Sequence, residues 1–144
     1  MPAKSHILLV EDNSFDAKVF QRALRDKGLE TPITIVKDGI EALETLRMFS
    51  AASFADLIIV TDLKLPCMDG IDLLRRIRKE TPFTDLPIFV VTTSDAPADR
   101  YAASEFGIEA YICKTGPEFD FVEPIIAFLN HRERWDHDPL LGRR

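Results

Sequence analysis

Asp62 is the residue of this sequence best placed to do chemistry. It follows the continuous apolar run L-I-I-V at residues 57–60, and the chain then turns at Pro66. A short run of this kind, rich in β-branched residues, is typical of a strand buried on both faces of a parallel sheet. Ligands of such sheets bind at the carboxyl ends of the strands. Asp62 is therefore a candidate reactive acid, and the alternative is that it only caps the following turn.

Two further acids end a second apolar run, H-I-L-L-V at residues 6–10, which stops on Glu11 and Asp12. If both runs are central strands of one sheet, three carboxylates meet at one edge, and their repulsion raises at least one pKa unless a cation neutralises them. Carboxylate oxygens without nearby Cys or His suit Mg²⁺, which accepts one or two protein carboxylates. The alternative is helix capping, but Asn13 can cap without them. The acids therefore favour a magnesium site with Asp62.

Polar groups of other types end two later apolar runs. Residues 87–91 lead into Thr92 and Thr93, and residues 110–113 lead into Lys114. Each signal is weak by itself, because threonines commonly close strands and most lysines are solvated. Together with the carboxylates, a hydroxyl and an ammonium group at the same edge form a site that can accept an anion once a metal is bound.

The segments that carry these residues alternate between strand and helix patterns. Strands are predicted near 6–11, 33–37, 56–62, 87–92 and 110–114, and helices near 14–27, 39–49, 70–80, 97–106 and 119–134. Five βα units in succession imply a parallel sheet with helices on both faces. We therefore predict an α/β fold, a flavodoxin-like (βα)5 doubly wound parallel sheet with strand order 2-1-3-4-5. In this order Asp12 and Asp62 follow neighbouring strands.

Composition limits the classes of protein to consider. The chain has 144 residues and a formal net charge of −6, which suits one domain with a substantial core. It has no apolar stretch of transmembrane length and no signal peptide, so we expect a cytoplasmic protein without membrane association. No basic stripe precedes Arg143, which argues against nucleic-acid binding. Cys67 and Cys113 are expected to be separate reduced thiols.

In the type, order and spacing of these residues, the chain resembles the receiver domain of two-component response regulators from residue 5 to residue 130. The resemblance implies that a sensor histidine kinase phosphorylates Asp62 and that Mg²⁺ is held there by Asp12, Asp62 and the Lys64 backbone carbonyl, with Glu11 acting through water. It also implies roles at the phosphate and in the conformational switch for four further residues, Thr92, Thr93, Tyr111 and Lys114.

Among receivers, the chain is most similar to stand-alone ones that partner bacterial phytochrome-type histidine kinases. The similarity lies in the long segment 48–55 and in the stretch V-V-T-T-S-D at 90–95. The resemblance implies that the signal passes to a downstream protein or phosphotransfer protein through the face built by the fourth helix, fifth strand and fifth helix. The chain departs from the family at Thr115, where receivers usually have a proline after a cis peptide. A cis bond before a non-proline residue costs about 2.5–4 kcal/mol, so we expect a trans Lys114–Thr115 peptide.

Two other functions compete with this interpretation. A phosphorylation-independent receiver-like interaction domain would keep the fold, but such domains usually lose a carboxylate or the lysine, and here all are present. A haloacid-dehalogenase-type phosphatase would carry its nucleophile on the first strand with a second Asp two residues later, whereas Lys64 stands at that distance from Asp62. We therefore expect a signalling protein that is not an enzyme, beyond its own phosphorylation and slow dephosphorylation.

The C-terminal region carries a second pattern. We predict a receiver domain over residues 1–132 and an extension over 133–144 that includes Trp135. At 100° per residue, the apolar residues of the last helix cover an arc of roughly 180°, wider than the roughly 100° that one core contact needs; they are Phe119, Phe121, Val122, Ile125, Ile126, Phe128 and Leu129. This predicts a homodimer through the fifth helix and the tail. The alternative is a helix that starts later, near Pro124, with a tail packed on its own domain.

Overall fold

One parallel sheet forms the centre of the molecule. The computed structural model describes residues 5–49, 56–80, 83–114 and 122–137, without the side chains of 132–137. Its strands are β1 (His6–Val10), β2 (Ile33–Val36), β3 (Leu57–Thr61), β4 (Ile88–Thr92) and β5 (Ala110–Cys113). They pair in the order β2-β1-β3-β4-β5, with every described pairing parallel. The predicted fold class and strand order are confirmed.

Five α-helices connect or follow these strands within the described residues. They are α1 (Ser14–Asp26), α2 (Gly39–Met48), α3 (Gly70–Lys79), α4 (Pro97–Ser104) and α5 (Glu123–His137), with a short 3-10 helix at Phe83–Asp85. Asn13, Asp38 and Asp69 each accept a backbone N–H with their side chain at the start of α1, α2 and α3, which satisfies donors that a helix start leaves unpaired. None of the described helices is long and apolar enough to cross a membrane.

Helices cover both faces of the sheet and give it two core layers. Side chains of successive strand residues alternate between the faces, so Ile58 and Val60 of β3 pack with α1 and α5, while Leu57 and Ile59 pack with α2 and α3. Every residue of β3 and β4 is buried. This is the burial that continuous apolar strands of a parallel sheet require.

The apolar surface of α5 belongs to the second of these layers. Val122, just before the helix, and Ile125, Ile126 and Leu129 are buried there, and the ring of Phe128 packs edge-on against Phe89 of β4 at 5.4 Å. The described part of the wide apolar arc is therefore covered by the chain's own sheet. The other two residues assigned to the arc, Phe119 and Phe121, lie outside the described residues.

The start of α5 agrees with the later of the two predicted positions. The helix begins at Glu123, and Pro124 lies in its first turn, where a missing backbone N–H costs no helical hydrogen bond. The helix continues to His137, so the proposed boundary between residues 132 and 133 falls inside α5.

Backbone packing fixes the loop that follows β3. A Cβ atom on Gly70 would lie 2.5 Å from the Cα of Leu63 and 2.9 Å from the carbonyl oxygen of Asp62. The Gly70 N–H donates to the Leu63 carbonyl at 3.0 Å. Within the same loop Cys67 adopts a positive φ of 70°. The first turn of α3 is thus packed directly against the backbone of the loop that carries Asp62, and only glycine allows this distance.

Arg78 of α3 fixes the segment that leads into β5. Its guanidinium donates to the carbonyl oxygens of Phe106, Gly107, Thr84 and Leu86 at 2.7–3.1 Å. Burial lowers the pKa of this guanidinium, but four carbonyl acceptors suit its fork of N–H donors. The connection between α4 and β5 is therefore tied to α3, which helps to hold β5 and the residue that follows it in place.

Candidate functional site

The carboxyl ends of the central strands bring the candidate residues together. Glu11 follows β1, Asp62 follows β3 and Lys114 follows β5. Backbone hydrogen bonds set their register: the Asp62 N–H donates to Val10 of β1 at 3.1 Å, and the Lys114 N–H donates to Thr92 of β4 at 2.7 Å. Two acidic side chains and one basic side chain therefore lie at the same edge of the sheet.

The two oxygens of the Asp62 carboxylate have different surroundings. Oδ1 accepts the backbone N–H groups of Leu63 at 2.6 Å and Lys64 at 3.1 Å, whereas Oδ2 faces the Lys114 ammonium at 3.3 Å. The sequence left open whether Asp62 is a reactive acid or only caps the following turn. The structure shows the capping contacts on Oδ1 and a contact with the Lys114 ammonium on Oδ2. The backbone donors orient the carboxylate, so that its second oxygen points toward the charged centre.

Lys114 is the centre of this charged group. Its Nζ lies 2.6 Å from Glu11 Oε1, 3.0 Å from Asp16 Oδ2 and 3.3 Å from Asp62 Oδ2, and its side chain is only 11% exposed. Burial by itself lowers the pKa of Lys114, but the hydrogen bonds to Glu11 and Asp16 and the charge of Asp62 outweigh burial and raise the pKa well above its usual range. The side chain is therefore an ammonium cation at neutral pH.

Glu11 is the most buried acid of the site. It is 6% exposed, and its Oε2 accepts the backbone N–H of Asn13 at 3.2 Å. Burial raises the pKa of Glu11 and outweighs the opposing effects of Lys114 and Asn13, while the nearby charge of Asp62 adds to the rise. The repulsion expected among the acids is therefore present, and the cation that offsets it in this structure is Lys114.

Asp12 does not share this ion-pair cluster. Asp12 is exposed. Among the described residues, its carboxylate takes part in none of the hydrogen bonds or ion pairs of the site. In the same part of the chain, no three His, Cys, Asp or Glu side chains form a group arranged to hold a metal ion. In this structure the cation that neutralises Glu11 and Asp62 is the Lys114 ammonium.

The donor set nevertheless fits a hard divalent cation. Glu11, Asp12 and Asp62 contribute carboxylate oxygens at one edge of the sheet, and Lys64 adds a backbone carbonyl in the loop after Asp62. These are the oxygen ligands that Mg²⁺ prefers, and a magnesium ion keeps several waters of its own. In this structure the Lys114 ammonium occupies oxygens of Glu11 and Asp62 that a cation would share.

The predicted switch residues lie at the end of β4 and on β5, and none of their side chains contacts the lysine cluster among the described residues. Thr92 is fully buried at the end of β4, and its Oγ1 accepts the Ser94 N–H at 3.3 Å, whereas Thr93 is exposed. The Tyr111 hydroxyl donates to the Ser94 carbonyl at 2.9 Å, and the Arg100 guanidinium lies 4.6 Å from the centre of the tyrosine ring. Burial raises the pKa of Tyr111. Through Ser94, the loop after β4 thus connects the Thr92 hydroxyl to the Tyr111 ring on β5.

A cleft of about 150 Å³ opens on Asp62. Its lining includes Phe15 and Val19 of α1 as well as Asp62 and Lys114. Phe15 is 67% exposed. A reacting group on another molecule can therefore approach the Asp62 carboxylate from solvent along an apolar wall.

Sequence reasoning missed Asp16. Its carboxylate contacts Lys114 as directly as the carboxylates of Glu11 and Asp62 do. The available signal was an acid in the first turn of a helix that follows the Glu11–Asp12 pair, but such acids are common because they favour the helix dipole. Thr115, and with it the predicted trans Lys114–Thr115 peptide, lies outside the described residues.

Comparison with known families agrees with this arrangement. The sequence matches the response regulator receiver domain over residues 7–125. The chain belongs to this family. Receivers are signalling domains of two-component systems, and the acids, hydroxyl and lysine found at one edge of this sheet are the ones on which the predicted resemblance was based.

Comparison with individual receivers shows which members of the family this chain resembles. The response regulator Rcp1 of Synechocystis sp. is 30% identical over 112 residues, which cover 76% of each protein. The structure of the Mn²⁺-bound form of Rcp1 superposes with a TM-score of 0.73 at 28% identity, over 86% of this chain and 93% of that one. The bacteriophytochrome response regulator RtBRR gives 0.71 at 31% identity, over 87% of this chain and 77% of that one. The predicted similarity to receivers of phytochrome systems is confirmed.

Some relatives are considerably longer. The two-component response regulator ARR9 of Arabidopsis thaliana is 28% identical over 125 residues, and these cover 76% of this chain but 53% of the plant protein. The chain thus spans about half the length of this relative, and the similarity concerns the receiver region.

Proposed function

We propose that this chain is a response regulator that accepts a phosphoryl group from a sensor histidine kinase onto Asp62, in a reaction that needs Mg²⁺. The observation that carries the proposal is the geometry around the Asp62 carboxylate. One oxygen is held by two backbone N–H groups, and the other lies 3.3 Å from the buried ammonium of Lys114. A carboxylate fixed beside a cation at the mouth of a cleft is suited to forming an acyl phosphate.

The proposed metal ligands are Asp12, Asp62 and the Lys64 backbone carbonyl, with Glu11 acting through a water molecule. Support comes from the oxygen donor set and from the relative Rcp1, whose structure was solved with Mn²⁺ bound. When bound, the cation neutralises negative charge on the phosphoryl group and the carboxylates, which is the main requirement of phosphoryl transfer.

The transfer itself follows from the positions of the side chains. An Asp62 carboxylate oxygen attacks the phosphorus of a phosphohistidine in line, so that an O–P bond forms as the P–N bond breaks, and the imidazole leaves with the electron pair and takes up a proton. Lys114, already in contact with Asp62, balances charge on the bound phosphoryl group. Thr92 and Thr93, at the end of β4, supply hydroxyls for its remaining oxygens.

The proposed output is a change of the α4-β5-α5 face. The Thr92 hydroxyl moves toward the phosphoryl group, and the loop that contains Ser94 follows it. Because the Tyr111 hydroxyl is bonded to the Ser94 carbonyl, this movement repositions the tyrosine. A downstream target or phosphotransfer protein then recognises the altered face.

The partner kinase we propose is of the phytochrome type. The support is the similarity to Rcp1 and RtBRR, the latter described as a bacteriophytochrome response regulator. The proposal includes a cytoplasmic location, and it includes no catalytic turnover beyond the chain's own phosphorylation and slow dephosphorylation.

A phosphotransfer assay tests this function. Incubated with autophosphorylated histidine kinases or a small acyl phosphate, the full chain should gain one phosphoryl group with Mg²⁺ and none with a chelator. The bond should be cleaved by hydroxylamine, as acyl phosphates are. A phosphorylation-independent interaction domain would gain nothing from any donor, and a phosphatase would release inorganic phosphate over many turnovers. Either result would contradict the proposal.

Replacing Asp12 tests the metal. Asp12→Ala should weaken Mg²⁺ binding strongly and leave the stability of the metal-free protein unchanged or slightly higher, because this exposed acid makes no described contact in the lysine cluster and adds negative charge to it. Thermal melts with Mg²⁺ and with a chelator measure both effects. A Mg²⁺-dependent shift equal to that of the unmodified chain would show that the cation binds elsewhere.

A separate proposal is a homodimer that uses α5 and the tail beyond Asn130. Its support is the apolar content of that tail, with Trp135, Leu140 and Leu141, since the described apolar residues of α5 are covered by their own sheet. Two-fold dimers are the commonest way to cover such a surface. Light scattering at micromolar concentration should give the dimer mass for the full chain and the monomer mass after truncation at Arg132. Monomers of the full chain, with and without a phosphoryl mimic, would disprove it.

A further inference from the structure

Asp16 occupies a defined position in the site that the proposed reaction leaves unused. Its Oδ2 lies 3.0 Å from Lys114 Nζ, and its backbone N–H donates to the Asn13 side chain at 3.0 Å, which fixes the first turn of α1. Its side chain is 35% exposed, whereas those of Glu11 and Asp62 are 6% and 9% exposed. The acid is therefore held by α1 at the open side of the lysine cluster.

The ammonium group of Lys114 has no donor to spare. It carries three N–H bonds, and three carboxylates accept from it, those of Glu11, Asp16 and Asp62. A phosphoryl oxygen at Asp62 must therefore share the ammonium with Asp16. The Asp16 carboxylate thus contacts the ammonium from α1 at 3.0 Å and competes for it with Glu11 at 2.6 Å and Asp62 at 3.3 Å.

The negative charge of Asp16 has a direct effect as well. The carboxylates of Asp16 and Asp62 contact one nitrogen atom, so Asp16 places a negative charge close to any group bound at Asp62. A charge at that distance attracts a divalent cation and repels a phosphoryl group.

We propose that Asp16 is a positioning residue that acts through Lys114: it holds the ammonium on the α1 side of the site, which strengthens Mg²⁺ binding and shortens the lifetime of a phosphoryl group on Asp62. The part that concerns the phosphoryl group rests on the proposed function. The part that concerns the ammonium does not rest on it, and the part that concerns the cation requires only that the site binds Mg²⁺.

Asp16→Asn is the test, because it removes the charge and keeps the shape. Asp26→Asn is the matched control, since it removes the same charge from the far end of α1. Asp16→Asn in a Lys114→Met background shows whether the effect passes through the lysine. Calorimetric titration measures Mg²⁺ affinity, and NMR of isotope-labelled lysine measures how fast the metal-free Lys114 ammonium exchanges its hydrogens. Decay of labelled protein gives the lifetime of the phosphoryl group.

Asp16→Asn should weaken Mg²⁺ binding and lengthen the phosphoryl lifetime, each by about two- to fivefold, the scale of a partly exposed ion pair. It should also speed hydrogen exchange at Lys114. Asp26→Asn should change none of these, and the effect on Mg²⁺ affinity should become smaller without Lys114, because only the direct attraction between the Asp16 charge and the cation then remains. An equal effect on Mg²⁺ in the Lys114→Met background, or unchanged lysine exchange in Asp16→Asn, would overturn the proposal. If the unmodified chain takes up no phosphoryl group, the proposed function fails, and the exchange and Mg²⁺ measurements still decide the role of Asp16.

Discussion

Asp62→Asn should reduce phosphoryl uptake to the background of the assay, a loss of about 10³-fold or more, because it removes the proposed nucleophile. The asparagine oxygen can still accept the Leu63 and Lys64 N–H groups that Oδ1 accepts now. Lys114 keeps its contacts with Glu11 and Asp16. The variant should therefore fold, and its failure to accept a phosphoryl group would result from the loss of the nucleophilic carboxylate. Mass spectrometry of the intact chain after incubation with a small acyl phosphate measures the loss.

The control for this variant is a second conservative change on the same edge. Thr93→Val removes an exposed hydroxyl at the end of β4, and it should slow phosphoryl uptake without abolishing it. Thermal melts of both variants establish that they are folded. Stoichiometric, hydroxylamine-sensitive phosphate on folded Asp62→Asn would show that another residue is the acceptor.

Much of the fold could be predicted because its causes are local. The runs before Glu11 and Asp62 are continuously apolar, and each became a strand with at most one partly exposed residue. Five successive βα units predict a parallel sheet, and the strand order comes from the flavodoxin-like arrangement of such sheets. The carboxyl ends of β1, β3 and β5 then had to lie at one edge, so Glu11, Asp62 and Lys114 met as expected.

The partners of Lys114 could not be predicted from local pattern. Contact with Asp16 depends on the direction in which α1 leaves β1 and on the reach of a long side chain across the sheet edge. The sequence also did not show that Asp12 is exposed while Glu11 is buried, because both residues follow the end of β1 and strand alternation no longer sets their direction. The acids of the site therefore divide into two groups, those bound to the lysine and one that remains open to a cation.

The fifth helix shows a second limit of prediction from sequence, which concerns the interpretation of a wide apolar surface. Its apolar arc suggested a surface for a second subunit, but Ile125, Ile126 and Leu129 are buried in the chain's own core. A helix that packs against both a sheet and a neighbouring helix needs a wide apolar surface, and α5 shares its core layer with α1. Width alone does not distinguish that arrangement from an interface.

Lys114→Met should lower the free energy of unfolding of the metal-free protein by about 3–5 kcal/mol, the usual cost of leaving a buried charge without its partner. The methionine keeps the length and apolar stem of the side chain but removes the ammonium. Glu11 and Asp62, at 6% and 9% side-chain exposure, then lose the cation that neutralises them. Urea unfolding in the presence of a chelator measures this loss.

Mg²⁺ should restore much of that stability, since a divalent cation can neutralise the same oxygens and a ligand that binds only the folded state stabilises it. The stabilisation by Mg²⁺ should therefore be larger in Lys114→Met than in the unmodified chain. Arg47→Ala is the matched control, because Arg47 pairs with Glu80 on the surface at 2.9 Å with side chains 49% and 30% exposed. Exposed pairs contribute about 0–1 kcal/mol, and this one lies outside the lysine cluster. If Lys114→Met costs no more than Arg47→Ala, or if Mg²⁺ stabilises both variants equally, the lysine does not neutralise the acids of the site, and the electrostatic basis of the metal proposal fails.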